Sequence, residues 1–126
     1  MSAERRVLII DPDPKVRRQT AECLSGLNYT VETGRNLGEA IQRIPKGGFG
    51  CILLDVDLPE MKGYEAVGIL KNLDPNLKII MTTGKNTKRR EARAREQDIF
   101  FYYIKSFGKE ELELAIANAF SESKEE

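Results

Sequence analysis

Three short stretches of this chain are apolar on both faces at once. Val7 to Ile10 and Cys51 to Leu54 are unbroken runs, and Ile79 to Met81 is a third. A strand that is apolar at every residue needs cover above and below, which a parallel sheet between two helical layers provides. The segments between the runs repeat their apolar residues at the helical period and supply that cover. Strands are expected near 5–11, 29–33, 50–55, 77–82 and 100–104, and helices near 14–26, 37–45, 61–73, 86–97 and 108–120. Strands alternating with helices read as βαβ units, so the class is α/β. With right-handed crossovers, five strands most economically form a flavodoxin-like, doubly wound (βα)5 sheet of order 2-1-3-4-5.

Local signals place the helix ends. The first helix carries Val16, Thr20, Cys23, Leu24 and Leu27 on one face and stops at Gly26. Asn36, with Glu39 three residues on, resembles a capping box. Pro45, Gly47 and Gly48 are expected to end the second helix, and Asp74-Pro75 the third. The last helix repeats Leu112, Leu114, Ala115, Ile116, Ala119 and Phe120 as a core-facing stripe. Tyr29 to Thr33 is mixed in polarity, as befits an edge strand. The 126 residues make one domain over 1–120, followed by a polar tail at 121–126 expected to be disordered.

Composition narrows the chemistry. The formal net charge is zero, so no global field favours nucleic acid or a membrane surface. The chain has no histidine, which excludes His-based acid–base catalysis, the usual zinc sites and self-phosphorylation on histidine. Cys23 and Cys51 lack metal-ligand or redox spacing and read as small buried hydrophobes. No signal peptide or long apolar span is visible, so a cytoplasmic location is the expectation.

The candidate site lies at the strand ends. The first strand runs into Asp11, the third into Asp55, the fourth into Thr82 and the fifth into Lys105. Strands one and three are neighbours at the switch point of the 2-1-3-4-5 order, about 4.8 Å apart, so Asp11 and Asp55 should sit close enough to share a cation. Two such carboxylates repel each other, and either a proton or a hard cation such as Mg²⁺ resolves the conflict. Lys105 starts roughly 10 Å from Asp55 and is long enough to span most of that gap. An acid pair, a hydroxyl and an ammonium around one concavity suit an anionic group carried at Asp55.

These residues resemble those of a response-regulator receiver domain, from about Arg6 to Phe120. Asp55, Pro59 and Gly63 keep the family's D-x-x-x-P-x-x-x-G frame. The resemblance implies that Asp55 accepts a phosphoryl group from a phosphohistidine on a sensor histidine kinase or phosphotransfer protein. It makes Asp11 the first of an acidic pair, Asp57 a Mg²⁺ ligand through its backbone carbonyl, and Lys105 the phosphate-contacting lysine. Thr82 becomes the switch hydroxyl and Tyr102 the switch aromatic.

Two positions depart from that pattern. Pro12 stands where the family has a second acid that ligates the metal, so Mg²⁺ is expected to bind weakly. Asp13 could substitute, or it could simply cap the first helix ahead of Pro14. Ser106 stands where the family has a cis proline. A cis bond to a non-proline residue costs about 3–4 kcal/mol, so a trans bond is expected, re-aiming the loop and Lys105 with it and loosening the site.

Segment 85–97 is basic through Lys85, Lys88, Arg89, Arg90, Arg93 and Arg95. It reads as a solvated helix or, by the resemblance, as part of a partner surface that continues over 100–120, with nucleic acid a poor fit for this chain alone. The functional readings are a phosphorylatable receiver switch, itself no enzyme beyond autocatalytic phosphotransfer and dephosphorylation, and a phosphorylation-independent interaction module. Asp55-x-Asp57 also resembles a haloacid-dehalogenase-like nucleophile motif, but no downstream acidic pair or cap domain accompanies it. A flavodoxin-like cofactor binder lacks its phosphate-cradling loop after the first strand.

Overall fold

The computed structural model describes residues 4–122. Five strands, β1 (Arg6–Ile10), β2 (Thr30–Gly34), β3 (Cys51–Asp55), β4 (Lys78–Thr83) and β5 (Phe101–Ile104), alternate with α1 (Pro14–Ser25), α2 (Leu37–Gly47), α3 (Gly63–Leu73), α4 (Lys88–Arg95) and α5 (Lys109–Glu122). All strand pairs are parallel and the order is β2-β1-β3-β4-β5, as expected. The mixed-polarity β2 is an edge strand.

Side chains alternate across each strand, so one apolar run feeds two cores. Leu8, Ile10, Ile52, Leu54, Ile79 and Met81 pack against α2, α3 and α4 through Ala40, Ile44, Ala66, Leu70 and Ala94. Val7, Ile9, Cys51, Leu53 and Ile80 face the other way, toward Leu24 of α1 and Leu112, Ala115, Ile116 and Ala119 of α5.

Caps fix where the helices start. Asp13 accepts the Lys15 N–H with Pro14 in the first helical turn, and Asn36 accepts the Glu39 N–H. Glu39 turns back to the Arg35 N–H instead of the Asn36 N–H, a capping box displaced by one residue. Thr87 caps α4 by accepting the Arg90 N–H, so that helix starts two residues later than expected.

Several expectations need correction. Pro45 lies inside α2, which continues to Gly47. A proline one turn from a helix end removes a single bond, and the left-handed Gly48 makes the actual stop. The first helix does stop at Gly26 as expected, but Gly26 stays right-handed and Asn28 takes the left-handed turn at φ 69°. Leu27 and Leu114 are 42% and 63% exposed rather than buried. Leu27 lies beyond the last turn of α1, and Leu114 sits on the side of α5 opposite Leu112 and Ile116. α5 includes Ser121 and Glu122, two residues of the expected tail, whose remainder lies outside the described residues. Cys51 is buried and its thiol is pushed up to about 12 by desolvation. Cys23 is only half-buried and donates to Glu113 Oε2 at 3.0 Å, so it is more than a small hydrophobe.

One glycine is required by close approach. A Cβ on Gly63 would lie 2.5 Å from the Asp55 carbonyl oxygen and 3.1 Å from Val56 Cα, both rigid backbone. The Gly63 N–H also donates to the Val56 carbonyl at 2.7 Å, closing the loop after β3. Gly63→Ala is expected to destabilise the fold by about 1–3 kcal/mol, read as a lower urea midpoint at unchanged slope.

Candidate functional site

The register of the sheet assembles the site. Ile10 pairs with Leu54, which sets Asp11, the next residue, beside Asp55. Asp55 in turn pairs with Thr82. All three are at least nine-tenths buried. Lys105 leaves β5 into a 3-10 turn, Lys105–Phe107, and its Nζ donates to Asp11 Oδ2 and Asp55 Oδ1, each at 2.7 Å. The remaining oxygens are also satisfied. Asp55 Oδ2 accepts the Asp57 N–H at 2.8 Å and Asp11 Oδ1 accepts the Asp13 N–H at 2.9 Å. The Arg17 guanidinium donates to the Asp11 carbonyl at 2.7 Å and ties α1 to the same corner.

Burial raises the pKa of Asp55; Lys105 opposes the rise and the nearby Asp11 charge adds to it. Burial disfavours the Lys105 charge too, but its two carboxylate partners outweigh that and raise its pKa. The bond from Lys105 to Ser106 is trans, since the described residues contain no cis peptide. The expected re-aiming of the lysine does not follow. The 3-10 turn carries the chain onward while the Lys105 ammonium still bridges both acids.

A second ionic cluster adjoins the first. Arg90 of α4 makes two bonds to the Asp57 carboxylate, 2.9 Å and 2.8 Å, and Lys62 donates to the same group at 2.9 Å. The Arg90 guanidinium, then Lys62, hold the Asp57 pKa down to about 2. Asp11, Asp55, Asp57, Lys85, Arg90 and Lys105 line an open cleft of about 610 Å³. Tyr102 points inward, 4% exposed, and its hydroxyl donates to Asn86 Oδ1 at 2.6 Å just ahead of α4. The carboxylate of Asp13 is engaged at the α1 cap.

Asp11, Asp55 and Lys105, expected at one end of the sheet, meet there in one cleft. Thr82 pairs with Asp55 but lines a hollow on the other side with Tyr103 and Leu112, so the expected switch hydroxyl is misplaced. The hydroxyl on the Tyr102 face belongs to Thr83, whose Oγ1 accepts the Lys85 N–H at 3.2 Å. Arg90, in sequence one cation of a basic, largely solvated helix, is the functional residue that the pattern does not reveal. The Arg90 side chain is only 22% exposed. The available signal was Asp57, a carboxylate on the loop that the start of α4 must approach in this topology. Arg93 also leaves solvent, its guanidinium stacking 5.1 Å from the Tyr64 ring.

Residues 7–117 match the family model of the response regulator receiver domain. The chain belongs to that family. A DNA-binding transcriptional regulator NtrC from Bradyrhizobium sp. (strain RP501 Parasponia) is 26% identical over 119 residues, which is 94% of this receiver and 25% of that protein. The receiver thus spans about a quarter of the length of its NtrC relatives. A CheY-like receiver domain protein from Methanospirillum hungatei JF-1 superimposes with a TM-score of 0.83 at 26% identity, covering 95% of this chain and 99% of that one. The response regulator TrrA from Thermotoga maritima, solved in complex with Mg²⁺–BeF, gives 0.80 at 27% identity over 91% and 98% of the two chains. No helix among the described residues is long and apolar enough to cross a membrane.

The donor set suits a hard cation only thinly. The described residues contain no cluster of three or more acids, cysteines or histidines able to hold a metal. Two converging carboxylates remain, a number on which Mg²⁺ can sit when water and phosphate oxygens complete its shell.

The depressed Asp57 pKa has a pH signature. A carboxyl held near 2 in the fold and near 4 when unfolded adds stability above the unfolded value, lost as pH falls through the folded one. Asp57→Asn is therefore expected to be less stable than the parent at pH 7. The gap in chemical-denaturation midpoint should close as pH drops from about 4 to about 2.

Proposed function

We propose that this receiver is a phosphorylatable switch with Asp55 as its phosphoacceptor. The observation that carries the reading is the convergence of Asp55, Asp11 and the Lys105 ammonium within one cleft. A carboxylate of raised proton affinity is a better nucleophile than an ordinary one, and it sits at the floor of an opening that admits a phosphoryl group. An oxygen of Asp55 bonds to phosphorus as the bond from phosphorus to a histidine nitrogen breaks. The donor is a sensor histidine kinase or phosphotransfer protein, and the imidazole leaves with the electron pair. Lys105, already beside that oxygen, follows the charge onto the transferred group.

Asp11 and Asp55, with the Asp57 backbone carbonyl, would hold Mg²⁺, which supplies charge neutralisation when bound. Pro12 contributes no oxygen and Asp13 is committed to the helix cap, so the affinity is weak. Thr83 and Tyr102, which share one face of the sheet, form the readout in place of Thr82, with Tyr102 anchored on Asn86. They would favour one of two arrangements of α4 once phosphate binds that arrangement better. The output partner docks over 85–97 and 100–120, and the setting is cytoplasmic.

A second reading, a phosphorylation-independent interaction module, draws on Pro12 and Ser106. Intact mass after incubation with acetyl phosphate and Mg²⁺ separates the two. One phosphoryl adduct on the parent, absent from Asp55→Asn, is expected. No adduct on a chain whose circular dichroism is native would leave the interaction module as the function. Restoring the missing acid with Pro12→Asp is expected to tighten Mg²⁺ binding by about tenfold, read by calorimetric titration.

A further inference from the structure

Arg90 faces the cleft rather than open solvent. Its guanidinium lines the same cleft as Asp55 and Lys105, and its side chain is largely buried. Its partner Asp57 is joined to the phosphoacceptor directly, because the Asp57 N–H donates to Asp55 Oδ2. Asp57 also has a second cation, Lys62, at 2.9 Å, so it would remain paired if Arg90 left it. Lys105, in contrast, already serves two carboxylates.

A phosphoryl group on Asp55 would bring about two negative charges into this cleft. Pro12 has removed one place where a metal could be held to meet them. A guanidinium presents paired N–H donors that match phosphate oxygens as well as they match a carboxylate, and it stays charged at any working pH. We infer that Arg90 is a second phosphoryl-binding side chain of this site, exchanging the Asp57 carboxylate for the oxygens of a phosphoryl group on Asp55. The inference rests on the reading of Asp55 as phosphoacceptor. The exchange draws on the first turn of α4, where the Arg90 N–H is held by the Thr87 hydroxyl at 3.0 Å. Asn86, one residue earlier, is the acceptor for Tyr102. Movement of the guanidinium and the position of the Tyr102 ring are thereby coupled through two hydrogen bonds on adjacent residues, Asn86 and Thr87.

A double-mutant cycle tests it. The parent, Arg90→Gln, Asp57→Asn and the double variant are incubated with acetyl phosphate and Mg²⁺, and labelling rates are read by intact mass. In the labelling step an Asp55 oxygen bonds to phosphorus as the bond from phosphorus to the acetate oxygen breaks, and acetate leaves. Arg90→Gln is expected to slow labelling about tenfold, the scale of one lost charge-assisted hydrogen bond. Asp57→Asn frees the guanidinium and is expected to speed labelling several-fold, an effect that vanishes in the Arg90→Gln background. Two outcomes overturn the inference. If both single variants slow labelling, the ion pair is a structural clamp. If the double variant equals the product of the singles, the charges act independently through space.

Should the parent take no label, the same four proteins are titrated with inorganic phosphate and followed by amide and guanidinium NMR shifts. Phosphate shifts lost only when Arg90 is replaced would uphold Arg90 as an oxyanion ligand while removing the transfer reaction. An absence of phosphate shifts in the parent would remove both.

Discussion

One ammonium between two buried carboxylates organises this molecule's working end. Asp11 and Asp55 are forced together by the pairing of β1 with β3, and neither can move without breaking the sheet. Two such charges side by side in a desolvated corner are tenable only with a cation, and Lys105 provides it from two strands away. The β5–α5 connection is arranged around that demand. The chain turns sharply at Lys105–Phe107, which lets the backbone depart while the side chain reaches back. Each acid oxygen not facing the lysine receives a backbone N–H from two residues downstream, so the loops after β1 and β3 are pinned by the acids they follow.

The second ionic group extends this arrangement toward α4. A short helix with few buried residues has little apolar surface to hold it in place, and only Ala94 of α4 is fully buried. The Arg90–Asp57 pair and the Arg93–Tyr64 stack supply attachment of another kind. Polar attachments of this sort depend on the charge state of their surroundings, whereas apolar packing does not. A helix held to the core largely in this way responds to charge in the cleft.

Much of this was legible in the sequence because it rests on periodicity and on chain ends. The apolar runs declared a sheet covered on both faces, and each run stopped at a polar residue at the same end of the sheet. Asp13-Pro14 announced a helix start, and the trans bond before Ser106 followed from the cost of the alternative. What escaped depended on three-dimensional closeness between segments far apart in sequence. Arg90 and Asp57 are separated by 33 residues, and nothing in a run of basic residues marks which one turns inward. Leu114 was misassigned because six apolar residues in α5 outnumber the positions that a single helix face can bury. Pro45 misled for a different reason: proline is a strong breaker in mid-helix but tolerable near a terminus that has other means of stopping.

The alternation of side chains across the sheet has a last implication. Tyr102 and Tyr103 are adjacent in sequence yet belong to opposite cores, one with α2, α3 and α4 and the other with α1 and α5. The sheet acts as a partition wall. A ring on one side touches the packing on the other only through the backbone, so the two cores can rearrange separately. In such a layout the two cores share nothing but the strands between them.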